Sequence, residues 1–343
     1  FISFLLSLFF FFFPQAQMQR LEQRKAEQQR ASSAARQNRK DAQASRQVAA
    51  VASGVMTAPT HAFVSVEALQ VAAMKGDVDG LVKALKGGAV PVDSCDPYGR
   101  TALFYAVHSN QLEAARKLLE LKANVNQVAA DGSTPLHEAA YRCTKDMVQL
   151  LLDHGANPAA SDRLGRTPMH WATNNALGEC IALLTRQART NINVPDADGM
   201  TPIMYAAYHN RVHHVKQLLN LRADLEEKDC KGNTAMHWAV QADSTAVLKV
   251  LLTPDATFFR NAQGQTVMHR VAELGCADAV DLVVRLRPDA HSDVDKQGRT
   301  PAFMAVANNH HAALRRLLAC GAQPDATDAS NVSLLAAAKV GLF

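Results

Sequence analysis

The chain has 343 residues, of which 48% are apolar and 20% charged, ordinary values for a folded protein that exclude low-complexity disorder over most of its length. The net charge of +4 is local: residues 14–60 carry a net +5 and the rest of the chain a net −1, so the main body has no basic surplus that would indicate nucleic-acid binding. No apolar run reaches the ~18 residues of a membrane-spanning helix, which excludes a multi-pass transporter within this stretch.

Two segments precede the main body, an apolar stretch and a basic tail. Residues 1–13, FISFLLSLFFFFF, would reach only roughly 20 Å as a helix, short of the ~30 Å hydrocarbon core. We interpret them either as translated non-coding sequence or as a hydrophobic anchor. Residues 14–60 are rich in Gln, Arg, Ala and Ser, which predicts a solvated tail that is partly helical or disordered. The alternatives are a weak contact with anionic lipid and a mitochondrial presequence that begins at Met18.

A threonine recurs with a period of about 33 residues through the rest of the chain. A glycine lies two positions before each threonine, and phrases such as TPLHEAA, TPMHWAT and TAMHWAV begin with the threonine. Residues 68–86, which precede the repeats, are predicted to form a capping pair of helices. A broken eighth unit, DASNVSLLAAAKVGLF, follows the seventh repeat. The seven threonines are Thr101, Thr134, Thr167, Thr201, Thr234, Thr266 and Thr300.

A period of about 33 residues with the phrase T-P-L-H-x-A resembles the ankyrin repeat family. The resemblance implies an all-α ankyrin-repeat solenoid, in which each unit is a helix-turn-helix with a β-hairpin finger. We expect this domain to cover residues 65–343, with about seven full repeats and partial caps. The repeats are expected to start near residues 96, 129, 162, 196, 229, 261 and 295, with a truncated one near 328.

The recurring letters have local physical reasons. Each threonine is predicted to cap a first helix, because its side-chain oxygen can accept an unpaired amide of the first turn. Proline follows in four repeats, as at Pro135, where the missing N–H costs nothing. Small residues such as Ala139 let neighbouring helices approach, and apolar residues three or four apart, such as Met147 and Leu150, predict a second helix. The glycine supplies the positive φ of a tight turn.

No pattern in the chain predicts catalysis. The patterns G-x-G-x-x-G, G-x-x-x-x-G-K-[ST] and G-x-S-x-G are absent, and in HEAAY Tyr141 replaces the second histidine of HExxH. The six cysteines are widely spaced with no C-x-x-C, which indicates reduced thiols in a cytosolic protein. His137, His170, His237 and His269 share one repeat position on helices ~8–10 Å apart, too far for zinc–nitrogen bonds of ~2.1 Å. We predict no enzyme, no cofactor and no metal site.

The ankyrin resemblance implies that the chain binds proteins through its fingers and the exposed side of each first helix, which together line a concave groove. Aromatic residues and arginine are enriched in binding hot spots. For Trp171 and Trp238 the alternative is that they pack as core against the neighbouring helix. The predicted partner-binding residues are Tyr98, Arg100, Tyr105, His108, Tyr141, Arg142, Arg163, Arg166, Trp171, Tyr205, Tyr208, His209, Lys231, Trp238 and Gln241.

Residues 198–240 resemble the repeats of inversin-like ankyrin scaffold proteins of cilia and the cytoskeleton, and also those of ankyrin-bearing palmitoyltransferases. We predict a non-catalytic scaffold or adaptor, monomeric and cytoplasmic, with a protein partner of unknown identity; the cilium or cytoskeleton is implied by the resemblance. The alternative is a substrate-recruiting module of a larger membrane enzyme. That enzyme would need a cysteine-rich DHHC domain and several membrane spans, which this stretch lacks.

Local departures from the repeat pattern predict that residues 253–292 open first. Val267 follows the threonine in place of proline, and Arg270 brings a long charged chain to the inner face. Asp255 stands where Gly155 ends the helix of an earlier repeat, and a non-glycine residue in a left-handed cap costs on the order of 1 kcal/mol. The segment is either a hinge that adjusts the groove to a partner or a tolerated weak repeat.

Overall fold

The computed structural model describes residues 61–86, 90–174, 180–186, 191–241, 245–253 and 256–334, without the side chains of residues 61–65 and Gln241. The chain divides into two compact units, Phe1–Val64 and Ser65–Phe343. The apolar stretch and the basic tail predicted within residues 1–60 lie outside the described residues, as does the end of the broken eighth unit, residues 335–343. Those interpretations stay predictions.

The described residues form an all-α repeat structure, which confirms the predicted fold class. Two helices, α1 (His61–Lys75) and α2 (Val78–Lys86), precede the repeats. The first helices of the seven repeats are α3 (Ala102–His108), α5 (Pro135–Arg142), α7 (Pro168–Asn174), α9 (Pro202–Tyr208), α11 (Ala235–Gln241), α13 (Val267–Leu274) and α15 (Pro301–Ala307). The second helices are α4 (Leu112–Glu120), α6 (Lys145–Asp153), α8 (Ile181–Arg186), α10 (Val212–Asn220), α12 (Thr245–Leu251), α14 (Ala277–Leu286) and α16 (His311–Ala319), with a 3₁₀-helix at Pro288–Ser292.

Two layers of helices bury the core between them. Each first helix packs on the first helix of the next repeat, and each second helix on the second helix of the next. Alanines of the first helices, such as Ala106, Ala139 and Ala206, are fully buried, so the helices meet closely. Leucines and methionines of the second helices, such as Leu118 and Met147, fill the space between the layers. A single repeat cannot bury this apolar face by itself, because the helices of the neighbouring repeats cover it.

The fingers between repeats are tight turns rather than paired strands. In the first finger the Asp96 amide donates to the Arg100 carbonyl at 3.1 Å, and the Asp96 side chain accepts the amides of Tyr98 and Arg100, each at 2.8 Å. Among the described residues, β-pairing is limited to two isolated bridges, Cys95 with Thr101 and Thr327 with Ser333.

Neighbouring fingers touch through their backbones, which imposes the recurring glycine. The Arg163 amide donates to the Asp131 carbonyl at 3.0 Å, and the same bond recurs at every step from the first finger to the eighth. A Cβ on Gly232, where φ is +75°, would lie 2.6 Å from the Ala262 nitrogen of the next finger. Glycine is therefore required for two reasons. The turn needs the predicted positive φ, and the close approach of the next finger leaves no room for a side chain.

The predicted threonine cap is correct in the first repeat and wrong in two others. Thr101 Oγ1 accepts the Phe104 amide at 3.3 Å, as predicted. The buried hydroxyls of Thr201 and Thr300 have no hydrogen-bond partner among the described residues. Where histidine stands three residues after the threonine, as at Thr134 and Thr266, the two residues form a capping box, and the threonine hydroxyl also lies within hydrogen-bond distance of the imidazole.

Left-handed caps without glycine occur elsewhere than expected. Lys122 (φ 66°) and Arg222 (φ 64°) follow α4 and α10 at the position of Gly155, whereas Asp255 lies outside the described residues. A non-glycine residue in a left-handed helix cap therefore does not distinguish the segment 253–292 from the other repeats.

The segment 253–292 carries charged contacts of its own. Arg270 is half-buried and forms an ion pair with Glu273 at 2.6 Å, rather than standing alone on the inner face. Arg260 and Arg287 both bind the buried carboxylate of Asp293, at 2.9 and 2.8 Å. The prediction that this segment opens first stays a prediction, and these ion pairs oppose it.

Candidate functional site

The histidine of the repeat phrase ties each first helix to the next finger. The backbone N–H of Thr134 donates to Nδ1 of His137, which leaves Nε2–H to donate to the Arg166 carbonyl of the next finger at 2.9 Å. His170, His237 and His269 make the equivalent bonds to the carbonyls of residues 200, 265 and 299. The histidine thus fixes the first helix to its own cap and to the following repeat.

The ionisation of these histidines follows from their burial. Burial, which would strip the imidazolium of its hydration, and the nearby Arg270 charge together lower the pKa of His237 to about 4. The pKa values of His137, His170 and His269 are also lowered by burial. All four are therefore neutral at pH 7, as the donor and acceptor pattern requires.

Each aromatic residue that follows this histidine position is tied to its own finger. The Trp171 indole N–H donates to Asp162 Oδ2, and the Trp238 indole N–H donates to Asp229 Oδ2, both at 3.0 Å. The hydroxyls of Tyr105 and Tyr205 donate to the finger carboxylates of Asp96 and Asp196 at 2.8 and 2.7 Å. The four rings are half-buried, so Trp171 and Trp238 are neither fully core nor free surface.

These finger aspartates were missed in the sequence, although a signal was present. Each one lies nine residues before its aromatic partner. Burial alone would raise the pKa of Asp162, but hydrogen bonds from Arg166 and Trp171 and the Arg166 charge hold it below its usual range. The carboxylate is therefore ionised at pH 7 and holds both groups. Burial and the bond to Asp196 raise the pKa of Tyr205, so its hydroxyl keeps the proton that it donates.

An exposed tyrosine meets a tethered tryptophan at the boundary of the second and third repeats. Tyr141, 43% exposed at the end of α5, stands edge to face with Trp171 at 6.1 Å between ring centroids. The Arg166 guanidinium lies 5.3 Å from the Trp171 ring and pairs with Asp162 at 2.8 Å. Tyr141 and Trp171 are called the first aromatic pair below. They line an open cleft of about 210 Å³ with Glu138, Arg166, His170, Asn174 and Tyr205.

The same arrangement recurs two repeats further on. Tyr208, 40% exposed at the end of α9, stands edge to face with Trp238 at 5.5 Å. These two residues are called the second aromatic pair. His209 packs against Tyr208 at 5.0 Å and against Tyr205 at 6.3 Å, which links the second pair to the cleft of the first.

A buried carboxylate stands beside the first pair, at the position that is aromatic in neighbouring repeats. Glu138 Oε1 accepts the Arg142 Nε–H at 2.6 Å and lies 2.9 Å from Nδ1 of His108. Arg142 and His108, both predicted as binding residues, therefore belong to one polar cluster across the first two repeats. Glu138, which is 8% exposed, was not among the residues predicted from the sequence.

The remaining predicted residues lie on the fingers. Tyr98 is 59% exposed at the first fingertip, and the Arg100 guanidinium lies 5.8 Å from its ring. Arg163 and Lys231 are exposed and form no ion pair with described residues. Gln241 ends α11, but its side chain lies outside the described part of the chain. The predicted residues thus lie on the fingers or on the first helices and their ends, and the surface that these elements form is called the groove face.

Within the described ranges, no three His, Cys, Asp or Glu side chains cluster closely enough to hold a metal ion. No helix in that part of the chain is long and apolar enough to cross a membrane.

A family model for ankyrin repeats in three copies matches residues 59–129, 121–196, 173–261 and 254–328. The chain belongs to the ankyrin repeat family. Ankyrin repeats imply protein–protein interaction, and in this ankyrin chain the half-buried and exposed aromatic residues named above lie along the groove face.

Curated relatives support the predicted resemblance to inversin-like proteins at modest identity. Inversin of Canis lupus familiaris is 31% identical over 220 residues, which are 62% of this chain and 20% of inversin. Palmitoyltransferase AKR1 of Lachancea kluyveri is 29% identical over 195 residues, 55% of this chain and 26% of that protein. Ankyrin repeat protein nuc-2 of Neurospora crassa is 26% identical over 265 residues, 74% and 25% of the two chains. This chain thus spans between a fifth and about a quarter of these relatives.

Proposed function

We propose that this chain is a non-catalytic scaffold or adaptor that binds a protein partner on its groove face. The observation that supports this most strongly is the pair of exposed tyrosines, Tyr141 and Tyr208, each set against a tethered tryptophan. Large aromatic residues that are partly exposed and rigidly held are the typical anchors of protein interfaces. The partner-binding residues named from the sequence define the surface that we assign to the partner.

The test uses a partner captured by the full chain, identified by mass spectrometry and then purified. Tyr141→Ala with Arg142→Ala, and Tyr208→Ala with His209→Ala, should each weaken its binding about thirty-fold, because truncating a hot spot typically costs about 2 kcal/mol. The matched control is Leu121→Ala with Leu221→Ala, which changes exposed residues at the ends of two second helices. Circular dichroism must show that all three variants fold. Unchanged affinity in both groove variants, or loss in the control, would contradict the proposal.

A second candidate function is a recruiting module within a larger membrane enzyme. The similarity to a palmitoyltransferase supports it, since the ankyrin region would then present substrates to a catalytic domain elsewhere in the protein. Sequencing the transcript on both sides of this stretch discriminates the two functions. Apolar segments of about 20 residues with a DHHC motif would favour the enzyme. A continuation without them would favour the scaffold.

The proposed setting of the scaffold is the cytoplasm, with the cilium or the cytoskeleton as its site of action by likeness to inversin. We propose a monomer with no nucleic-acid partner. The basic tail would add at most a weak contact with anionic lipid. Flotation with anionic liposomes, comparing the full chain with one lacking residues 14–60, tests that contact, and equal flotation would remove it.

A further inference from the structure

The two aromatic pairs are equivalent sites two repeats apart. Tyr141 and Tyr208 occupy the same position of the second and fourth repeats, and Trp171 and Trp238 the same position of the third and fifth. In both pairs the ring planes are nearly perpendicular, at 83° and 88°. The groove face therefore offers one partner the same contact twice.

The spacing of the pairs determines which chain conformation could reach both. Neighbouring packed helices lie about 8–10 Å apart, so sites two repeats apart are separated by roughly 20 Å along the groove. An extended chain rises about 3.3 Å per residue and covers this distance in about six residues. A helix rises about 1.5 Å per residue and would need about 13 residues. A short extended segment thus fits the two pairs with its backbone running along the groove.

A basic residue lies in the finger that carries each tryptophan, although the two basic residues are one position apart in the repeat. Arg163 is in the finger of the third repeat, which carries Trp171, and Lys231 is in the finger of the fifth, which carries Trp238. Both cations are exposed and form no ion pair with described residues. The finger between them carries the exposed Asp198 instead. The finger beneath each tryptophan thus carries one exposed positive charge that pairs with no described residue.

The rings need little reorganisation to bind. The indole N–H groups of both tryptophans are held by finger carboxylates, and those carboxylates also fix the backbone of the finger. Because the ring orientation is set before a partner arrives, less conformational entropy is lost on binding.

We propose, resting on the groove function above, that the groove binds an extended segment with two bulky apolar side chains about six residues apart. Each side chain contacts one aromatic pair, and an acidic residue next to each pairs with Arg163 or Lys231. The partner is thus recognised by a short linear motif with a fixed spacing rather than by a folded surface.

The experiment pans a phage library of linear peptides, each about 16 residues long, on the full chain, a length that spans both pairs in the extended conformation. Enriched peptides should share two bulky apolar positions about six residues apart, each beside Asp or Glu. The affinity of one such peptide is then measured for the Trp171→Ala and Trp238→Ala variants. Each variant should bind the peptide about thirty-fold more weakly than the wild type does. Leu121→Ala, which changes an exposed residue at the end of α4 outside the predicted binding set, is the control and should stay within about two-fold.

Two further measurements keep the test independent of how the tryptophan variants fold. Arg163→Glu and Lys231→Glu change exposed side chains and should each weaken the peptide about ten-fold. Inserting Gly-Ser between the two apolar side chains of the peptide should lower its affinity for the wild-type chain. The insertion should not lower its affinity for Trp238→Ala, because that variant has already lost one of the two aromatic pairs.

Enrichment of peptides with no common spacing would overturn the two-site motif. A peptide affinity that is unchanged by the Gly-Ser insertion and by both charge reversals would also overturn it. If the purified partner still loses affinity in the Tyr141 and Tyr208 variants, the groove function stands and only the linear motif falls. If the partner also binds those variants normally, both proposals fall.

Discussion

His137 Nε2 lies 2.9 Å from the carbonyl oxygen of Arg166, 29 residues further along the chain, and donates its proton there. Nδ1 of the same ring accepts the Thr134 backbone N–H at 3.1 Å, so the tautomer is fixed. One side chain thus satisfies a helix cap and joins two repeats. The bond requires a neutral ring, because an imidazolium has no acceptor left for the Thr134 amide.

The first prediction concerns acid stability. Histidines with a lowered pKa in the folded state bind protons more readily when unfolded, so their contribution is complete above about pH 6.5 and is lost as pH falls towards 4. Each such histidine contributes up to roughly 1.4 kcal/mol per pH unit within that window. Urea unfolding at pH 7.0 and 4.5 should show a marked loss of stability at the lower pH.

A single variant checks the cause of that pH dependence. His214 is buried in α10, and burial lowers its pKa to about 4, with His213 and Arg211 adding to the shift. Met147 occupies the same repeat position in α6. His214→Met should therefore fold and lose less stability between pH 7.0 and 4.5 than the wild type. An equal loss in both proteins would mean that His214 does not contribute.

The second prediction separates the two roles of glycine. Gly155 has a φ of +84° and no atom within 4 Å of an added Cβ, whereas at Gly232 that Cβ would meet the Ala262 nitrogen at 2.6 Å. Gly155→Ala should cost about 1 kcal/mol in free energy of unfolding, the cost of the backbone conformation alone. Gly232→Ala should cost at least roughly twice as much, because the fingers must also move apart. Similar costs by urea denaturation would show that finger contact adds nothing.

The third prediction compares two buried threonines. Thr134→Val removes a hydroxyl that lies 2.9 Å from His137 Nδ1 and should destabilise the protein by about 1 kcal/mol. Thr201→Val removes a buried hydroxyl with no partner among the described residues, so its free energy of unfolding should change by less than about 0.5 kcal/mol. Thermal unfolding of both variants measures the contrast. Destabilisation of Thr201→Val to the same extent would mean that its hydroxyl has an important partner.

The fourth prediction concerns local opening. Hydrogen exchange should be faster for amides of residues 253–292 than for those of residues 130–225, because the sixth repeat lacks the helix-starting proline. The Arg260–Asp293 ion pair opposes this opening, so Arg260→Ala should widen the difference. Equal or greater protection at 253–292 in the wild type would contradict the prediction.

The repeat architecture could be predicted from the sequence because each recurring residue of the repeat phrase has a local structural role. The proline of TPLH sets a helix start, and the glycine two positions before the threonine permits a turn, so the period alone identifies the helices. The hydroxyl of Thr201 shows the limit of that reasoning. Phenylalanine stands three residues after both Thr101 and Thr300, yet only the Thr101 hydroxyl accepts an amide, so the cap depends on local geometry that the repeat phrase does not encode.

The site was predicted as a set of surface residues but not as a set of contacts. Trp171 was weighed as either core or binding surface, whereas it is half-buried and bonded to Asp162. That bond depends on how the finger folds back over the helix, which composition does not encode. The Tyr141–Trp171 contact crosses a repeat boundary and depends on the stacking distance, so it required the structure.

Photo-crosslinking shows whether the partner binds on the groove face. A photoreactive phenylalanine analogue replaces Tyr141 or Tyr208 in the full chain, and Leu121 or Leu221 in the controls, all of which are exposed. We expect the purified partner to crosslink from both tyrosine positions and from neither leucine position. Crosslinks from Leu121 and Leu221, with none from Tyr141 and Tyr208, would contradict it.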